Sequence, residues 1–181
     1  MTTDSMNTTM FIRHSSEYCE KRFRITVAGL EVGVGSGRFA VPLGIGYGID
    51  PSRELLKMAK SRGIEVVLGE GEHLPCQTGS MDHVLMMTVI YFVDDTGALF
   101  REAGRVLVPG GALIIGFIER GGEIAKMYRN EKTKGRFLRH ARFWTADEVT
   151  QLLEDAGFTS VEVVQRSRGF CVIKGISKPS L

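Results

Sequence analysis

The chain has 181 residues, of which 43% are hydrophobic and 24% are charged. This length and composition are typical of one globular domain with a buried core, here residues 1–181, and they argue against extended disorder, collagen or a disulfide scaffold. The formal net charge is only +2, which is too small for a general polyanion-binding surface. The overall charge therefore does not favour nucleic acid as a partner.

The N-terminus and the cysteines exclude several further classes of protein. Residues 1–10 are polar and lack the apolar core of a secretory signal, which predicts a cytoplasmic protein, and residues 1–14 are expected to be flexible. The longest apolar run, residues 112–118, is far shorter than the ~20 residues that span a bilayer. The three cysteines are scattered without metal-ligand spacing, so we expect them to be reduced and predict no metal site.

Strand-like and helix-like segments alternate from residue 29 onward, which is typical of an α/β fold with a mainly parallel sheet. The first strand is predicted at residues 29–34, and it enters a glycine loop followed by a short helical turn at 38–43. A second strand at 47–50 precedes a helix that we expect Asp50 to cap, with Pro51 in its first turn. These segments make up one βαβ step.

The next strands are more apolar. A third strand is predicted at 64–68 and a fourth at 83–87, the latter buried on both faces. Asp94 and Asp95 begin a helix that residues 109–111, Pro-Gly-Gly, are predicted to stop before a fifth strand starts at Ala112.

The C-terminal part predicts one more helix and a hairpin. Thr145 and Glu148 form a capping box at the start of the helix. Strands at 161–164 and 170–173 would pair around a turn at 166–169, which makes the last strand antiparallel. The sequence thus predicts a Rossmann-like, doubly wound α/β fold with a seven-stranded, mostly parallel sheet and an abbreviated N-terminal part, in which at most one helix, around residues 15–24, precedes the first strand.

The segment Glu31-Val32-Gly33-Val34-Gly35-Ser36-Gly37-Arg38 lies where the first strand meets its helix. Glycines at such a junction let a ligand approach the main chain, and the loop amides could face a polar ligand. A dinucleotide-binding loop needs its last glycine where Arg38 stands, which disfavours NAD. A tight turn that packs a helix on the sheet is the alternative interpretation of these glycines.

Asp50 strengthens the interpretation as a ligand site. A carboxylate at the tip of the second parallel strand lies beside the glycine loop and can accept hydrogen bonds from both hydroxyls of a ribose. This role and the predicted capping role can coexist.

These residues resemble the class I S-adenosylmethionine (SAM)-dependent methyltransferases, specifically the type 11 group that includes ubiquinone and menaquinone biosynthesis enzymes. The resemblance extends from Gly29 to about Gly157. The motifs that carry it are Glu31 to Gly37, Gly48-Ile49-Asp50-Pro51-Ser52, Gly69-Glu70-Gly71-Glu72-His73-Leu74-Pro75, Met81-Asp82 and Val106-Leu107-Val108-Pro109-Gly110-Gly111. The adenine position has Glu70 where Asp is commoner.

The resemblance implies SAM as the cofactor, S-adenosylhomocysteine as its product, and a direct displacement on a small-molecule acceptor. It places the glycine loop beside the methionine part, Asp50 at the ribose, and Glu70 with Gly71 at the adenine. The cofactor-binding residues implied in this way are Glu31, Gly33, Val34, Gly35, Ser36, Gly37, Asp50, Pro51, Glu70, Gly71, Glu72, Thr88 and Val89. Residues 88–91 would line the space where the methyl group meets its acceptor.

Methyl transfer needs alignment of donor and acceptor and exclusion of water, not a protein nucleophile. A base helps if the acceptor is a hydroxyl or a protonated amine, and Tyr91 is the candidate catalytic residue, with His73, Asp94 and Asp95 as weaker ones. Tyr91 also suits a cation-π contact. An ordinary aromatic at the rim of the sheet is the alternative.

Residues 118–143 contain eight basic and three acidic side chains. They could form a substrate cover for an anionic acceptor or, more simply, a solvated amphipathic helix. Two other functions stay open: an RNA-directed methyltransferase that uses this basic segment, and a SAM-binding protein without catalysis, which the short N-terminal region and the abbreviated hairpin would suit. Apolar edges near that N-terminal region would favour a homodimer.

Overall fold

A seven-stranded sheet organises the computed structural model, which describes residues 28–130 and 142–178. Its strands are β1 Gly29–Val32, β2 Tyr47–Asp50, β3 Glu65–Leu68, β4 Met81–Met87, β5 Leu107–Ile118, β6 Thr159–Ser167 and β7 Phe170–Ile176. The helices of these residues are α1 Ala40–Leu43, α2 Arg53–Ser61, α3 Thr96–Val106, α4 Glu123–Asn130 and α5 Ala146–Asp155. The segments predicted at residues 1–14 and 15–24 lie outside the described residues, as do Lys132, Lys134, Arg136 and Arg139 of the basic segment.

The strand order is β3-β2-β1-β4-β5-β7-β6. Strands β1 to β5 pair in parallel, and β7 pairs antiparallel with both β5 and β6. The predicted mostly parallel, Rossmann-like sheet with an antiparallel end is therefore confirmed.

The predicted stop at residues 109–111 is wrong, because β5 already begins at Leu107 and runs through Pro109, Gly110 and Gly111. The pairing shows why these residues are tolerated. Between Met81↔Leu107 and His83↔Ala112, β5 advances by five residues while β4 advances by two. The extra residues bulge out of the ladder, and the chain still returns to register for the buried part of the strand.

The start of α2 also differs from the prediction. Ser52, not Asp50, is its N-cap, and the Ser52 hydroxyl accepts a hydrogen bond from the amide of Leu55. The carboxylate of Asp50 is thereby left for the glycine loop, as described below. The capping box of Thr145 and Glu148 at the start of α5 is confirmed.

The core lies on both faces of β4 and β5, as the continuous apolar runs predict. Leu85, Met86, Leu113 and Ile115 are fully buried, and Phe100 of α3 is buried with them. Within residues 28–130 and 142–178, no helix is long and apolar enough to span a bilayer.

The connection from β3 to β4 is a loop that side chains of α3 hold by hydrogen bonds. Arg105 donates to the carbonyl oxygens of Leu74 and Cys76, while Glu102 accepts from the amide of Leu74 and pairs with Arg105 at 2.7 Å. This ion pair raises the pKa of Arg105 and lowers the pKa of Glu102, so both groups stay charged. The loop is thereby fixed against α3, while its first residue, Gly69, donates to the carbonyl oxygen of Asp50 at the end of β2.

Candidate functional site

The site lies where the order of the sheet reverses. Strand β1 has β2 on one side and β4 on the other, so the connections that leave β1 and β4 diverge to opposite faces of the sheet. A crevice at the carboxyl ends of the strands is the expected result, and it is where open α/β sheets bind ligands. The glycine loop, Asp50 and the segment after β4 all lie at this edge.

Gly33, Gly35 and Gly37 have positive φ angles of 71°, 52° and 79°. A Cβ added to Gly33 would lie 2.3 Å from Cγ2 of Val89, and one added to Gly37 would lie 2.4 Å from Cδ1 of Ile64. A Cβ on Gly35 would meet nothing within 4 Å. Packing explains the first and third glycines, whereas the second leaves open space above the main chain.

Four of the loop amides, those of Gly33, Val34, Gly35 and Gly37, donate to the protein itself and not to a ligand as the sequence suggested. The amides of Gly33 and Val34 both donate to the carbonyl oxygen of Ile49, at 2.7 and 3.0 Å, and the amide of Gly37 donates to that of Val34 at 2.8 Å. The amide of Gly35 donates to Oδ2 of Asp50 at 2.8 Å. Three of these donors hold the loop against β2, and the fourth closes a turn within the loop.

Asp50 is 7% exposed and links the loop to the start of α2. Its Oδ2 accepts from Gly35, and its Oδ1 accepts from the amide of Ser52 at 2.8 Å. A carboxylate oxygen can accept more than one hydrogen bond, so each oxygen keeps capacity for a further donor. The predicted pairing of glycine loop and strand-end carboxylate is thus present, and Pro51 follows it at the exposed surface.

Glu31 is a buried carboxyl beneath the glycine loop, 1% exposed, and its Oε2 has no hydrogen-bond partner among the described residues. Burial raises the pKa of Glu31 well above its usual value; the nearby charge of Asp50 also raises it, and a hydrogen bond from the backbone of Ala40 opposes both effects. An unsatisfied buried polar atom is costly, so a donor from a ligand would relieve it.

Three predicted cofactor-binding residues follow β3, and their environments differ. Glu70 is exposed, and its carbonyl oxygen accepts from the amide of His73 at 3.3 Å. A Cβ on Gly71 would lie 2.4 Å from Cδ1 of Leu99. Oε1 of Glu72 accepts from the amide of Asp94 at 3.0 Å, which ties the loop after β3 to the loop after β4.

The segment after β4 begins with a strained residue. Thr88 has a φ of 59°, an angle that a β-branched side chain rarely adopts. Its amide donates to the carbonyl oxygen of Gly116 and its hydroxyl to that of Met87, at 2.8 and 2.7 Å. Val89 follows and lies against Gly33. Backbone strain of this kind concentrates at functional sites.

Tyr91 is buried, with 4% of its surface exposed. Its hydroxyl accepts a hydrogen bond from the amide of Ile118 and donates to the carbonyl oxygen of the same residue. Its ring lies 5.8 Å from that of Phe92 in a T-shaped arrangement and 5.5 Å from that of Phe143. The side chain that the sequence offered as a base thus fastens the loop after β4 to the end of β5.

Sequence reasoning missed the buried carboxylate at the end of β5. Glu119 is 5% exposed and forms a bidentate ion pair with Arg166 of β6, with Nε–Oε2 and Nη2–Oε1 distances of 2.7 and 2.6 Å. The amide of Ala146 also donates to Oε1, at 3.2 Å. A charged residue that directly follows a long apolar strand was the available signal for Glu119, and nothing in the sequence pointed to Arg166 as its partner.

Arg62 was also missed. Its guanidinium donates to the carbonyl oxygen of Ser36 at 2.7 Å and so connects the end of α2 to the glycine loop. The sequence signal was weak, because Arg62 follows a surface helix that contains several other basic residues.

Comparison with known proteins shows similarity to methyltransferases. Residues 30–115 match the model of a family described as a methyltransferase domain. A crystal structure from Thermotoga maritima, described as a SAM-dependent methyltransferase and possible histamine N-methyltransferase, is 33% identical, with a TM-score of 0.85 over 97% of this chain and 96% of that one.

Two uncharacterized relatives are more similar in sequence. A protein of Methanocaldococcus jannaschii is 42% identical over 76% of this chain and 67% of its own length. One of Mycobacterium tuberculosis is 46% identical over 71% of this chain. The chain spans only 46% of that mycobacterial protein.

Proposed function

Because the chain belongs to the SAM-dependent methyltransferases, whose cofactor is S-adenosylmethionine, we propose that it transfers the methyl group of SAM to a small-molecule acceptor. The observation that carries the proposal is the carboxylate of Asp50, which two amides hold at the tip of β2 beside the open space at Gly35. The Thermotoga relative, with its possible histamine activity, is consistent with a small acceptor.

The residues present fit the cofactor. Asp50 has acceptor capacity left for the two hydroxyls of the ribose, and Gly35 leaves room for a ligand to approach the main chain. The unpartnered Oε2 of Glu31 lies beneath the same loop and would accept from the ammonium group of the methionine part through a bound water or directly. Glu70 and Gly71 would complete the site on the adenine side.

When bound, SAM supplies an electrophilic methyl group on a sulfonium. The protein then has to hold donor and acceptor in line and keep water out, which can lower a barrier by as much as ~7–11 kcal/mol without a protein nucleophile. The segment 88–91 is suited to this task because hydrogen bonds to β5 fix both of its ends: the amide of Thr88 is bonded to Gly116, and Tyr91 is bonded to Ile118.

We propose that Tyr91 acts as a positioning residue. Its hydroxyl is bonded to the main chain of Ile118, and its ring is buried against Phe92 and Phe143. A general base needs its oxygen within hydrogen-bond distance of the acceptor, so Tyr91 would first have to give up these bonds. Asp94 is exposed at the same rim and is the better-placed candidate if the acceptor needs a base.

Calorimetric titration with SAM and with S-adenosylhomocysteine tests the proposal. We expect both ligands to bind the wild-type protein and Asp50→Ala to weaken binding by about 10- to 100-fold, the effect of one or two lost charged hydrogen bonds. Glu54→Ala removes an exposed carboxylate from α2 and serves as the control, with unchanged affinity. Absence of heat with the wild-type protein, or equal affinities for Asp50→Ala and Glu54→Ala, would contradict the proposal.

Incubation with methyl-labelled SAM and fractionated small metabolites then tests transfer. Label that moves to a small molecule supports the proposed activity. Cofactor binding without label in any fraction supports the alternative of a SAM-binding protein without catalysis, and label in RNA supports the RNA-directed alternative.

A further inference from the structure

A second pocket lies beyond the end of β5. Its volume is about 340 Å³, which is at the lower end of the range of small-molecule sites. Two short stretches of chain line it, the residues that follow β5 and the turn of the β6–β7 hairpin: Glu119, Arg120, Gly121, Gly122, Arg166, Ser167, Arg168 and Gly169. None of these residues was assigned to the cofactor.

The pocket lies at the same edge of the sheet as the cofactor crevice, at the carboxyl ends of the parallel strands. The amide of Thr88 is bonded to Gly116, which marks the level at which β4 ends, and Glu119 lies three residues further along the chain, directly after β5. At ~3.3 Å per residue, the pocket begins roughly 10 Å beyond that level. The amide of Glu119 donates to the carbonyl oxygen of Gly169, so the hairpin turn closes over this end of the strand. A distal group of an acceptor would reach this position.

Three arginines line the pocket, and two of them already have partners. Arg166 is paired with Glu119, and Arg120 is paired with Glu148 at 2.7 Å. The guanidinium of Arg168 makes no hydrogen bond or ion pair with any of the described residues. The only carboxylate in the lining, that of Glu119, is bound by Arg166. The charge of Arg168 is therefore left uncompensated at the wall of the pocket.

Arg168 also has an unfavourable backbone conformation. Ser167 pairs with Phe170 across a two-residue turn in which Arg168 and Gly169 have φ angles of 50° and 84°. Two positive φ angles are typical of a type I′ turn, which favours Asn or Gly at the first position. An arginine there costs about 1 kcal/mol or more relative to glycine. Neither burial nor pairing of this side chain within the described residues offsets the cost, so stability does not explain it.

We propose that this pocket binds an anionic group of the acceptor, a carboxylate or a phosphate, and that Arg168 is its principal ligand. The planar guanidinium suits either oxyanion, because it can donate two parallel hydrogen bonds. The proposal rests on the proposed methyltransferase function, since it treats the pocket as the distal part of the acceptor site.

The strained turn provides a test in which stability and binding change in opposite directions. We expect Arg168→Asn to raise the unfolding midpoint, because asparagine suits a positive φ angle, and to weaken anion binding about tenfold. Arg101→Gln, on the exposed face of α3, is the matched control and should change neither. If Arg168→Asn leaves anion binding unchanged, the proposal is wrong, whatever happens to the midpoint.

Nitrogen–proton correlation spectra can locate the anion. We titrate the protein with inorganic phosphate and, separately, with acetate, against chloride at equal ionic strength. The amides of Gly121, Gly122 and Gly169 should shift with one or both anions in the wild-type protein and much less in Arg168→Asn. A preference for phosphate or for acetate identifies the group. Shifts that scatter over the surface, or none beyond chloride, overturn the proposal.

The same spectra separate this inference from the cofactor assignment. SAM should shift the amides of Gly33, Gly35 and Gly37. Failure of that titration rejects the proposed function, whereas failure of phosphate and acetate at Gly121 and Gly169 rejects only the anion pocket.

Discussion

The carboxyl ends of β1 and β2 differ from the carboxyl end of β5 in what holds them in place. At β1 and β2, contacts between glycines and apolar side chains and a set of backbone hydrogen bonds fix the loop, as in Gly33 against Val89. At β5, an ion pair between residues 47 positions apart, Glu119 and Arg166, fixes the hairpin. The proposed cofactor side is therefore a packed surface with little tolerance for substitution, and the proposed acceptor side is a polar surface that substitutions can change.

The largest effect should come from the packed side. Gly33→Ala would place a Cβ 2.3 Å from Val89 at a φ of 71°, so it combines overpacking with an unfavourable backbone angle. We expect a loss of about 2–5 kcal/mol in the free energy of unfolding, measured by urea denaturation, together with loss of SAM binding.

Gly46→Ala is the control, because a Cβ there meets nothing within 4 Å and its φ is not positive. It should leave both quantities nearly unchanged. If Gly33→Ala is as stable as Gly46→Ala, packing does not hold the glycine loop and the contrast between the two ends of the sheet fails.

The next largest effect concerns the ion pair at β5. Arg166→Gln leaves a buried carboxylate with only the amide of Ala146, whereas Glu119→Gln leaves an arginine whose side chain is 63% exposed to solvent. We therefore expect Arg166→Gln to lower the unfolding midpoint more than Glu119→Gln does, because an uncompensated buried charge is the costlier product.

Both variants should bind SAM within about twofold of the wild type, a change of less than ~0.5 kcal/mol. Calorimetry checks this, with Glu54→Gln as a surface control. A large loss of SAM affinity in either variant would show that the two ends of the sheet are coupled.

The same difference between local and long-range contacts explains which features the sequence could predict. The alternation of strands and helices, the glycine loop and the carboxylate of Asp50 follow from residues close together in the chain, and the structure places the loop and the carboxylate side by side as predicted. Apolar runs fix which strands are buried, and Thr145 with Glu148 fixes the start of α5. Local patterns of this kind need no knowledge of tertiary contacts.

The predictions that failed depend on tertiary contacts, which local sequence patterns do not show. Pro109 to Gly111 was predicted as a stop, but the partner strand accommodates these residues as a bulge. The loop amides were expected to face a ligand, but three of them donate to Ile49 and Asp50 of β2. The pairing of Glu119 with Arg166 depends on how the hairpin docks on β5, which neither residue indicates by itself.

A smaller effect involves the buried carboxyl beneath the glycine loop. Burial raises the pKa of Glu31, so its contribution to stability is fully present below the unfolded value of about 4.5 and is lost as the pH rises through the folded pKa. Glu31→Gln cannot ionise. The unfolding midpoint of this variant should therefore rise relative to that of the wild type as the pH rises over this range.

Thermal unfolding of both proteins between pH 4 and pH 8, in the absence of ligand, measures this difference. A midpoint difference that does not change with pH would mean that Glu31 keeps its ordinary pKa. SAM should reduce the difference if an ammonium group becomes the missing partner of Oε2.

The smallest effect tests the junction between the two regions. Tyr91→Phe removes a hydroxyl that is bonded to both backbone groups of Ile118, which costs about 1–3 kcal/mol in stability because a buried amide loses its acceptor. A positioning role predicts a lower rate of methyl transfer with an unchanged dependence of kcat on pH. A role as general base predicts loss of an ionisation from the kcat profile. Because Tyr91 joins the loop after β4 to the end of β5, where the acceptor is proposed to bind, the pH profile also distinguishes a purely geometric role of this link from a role in proton transfer.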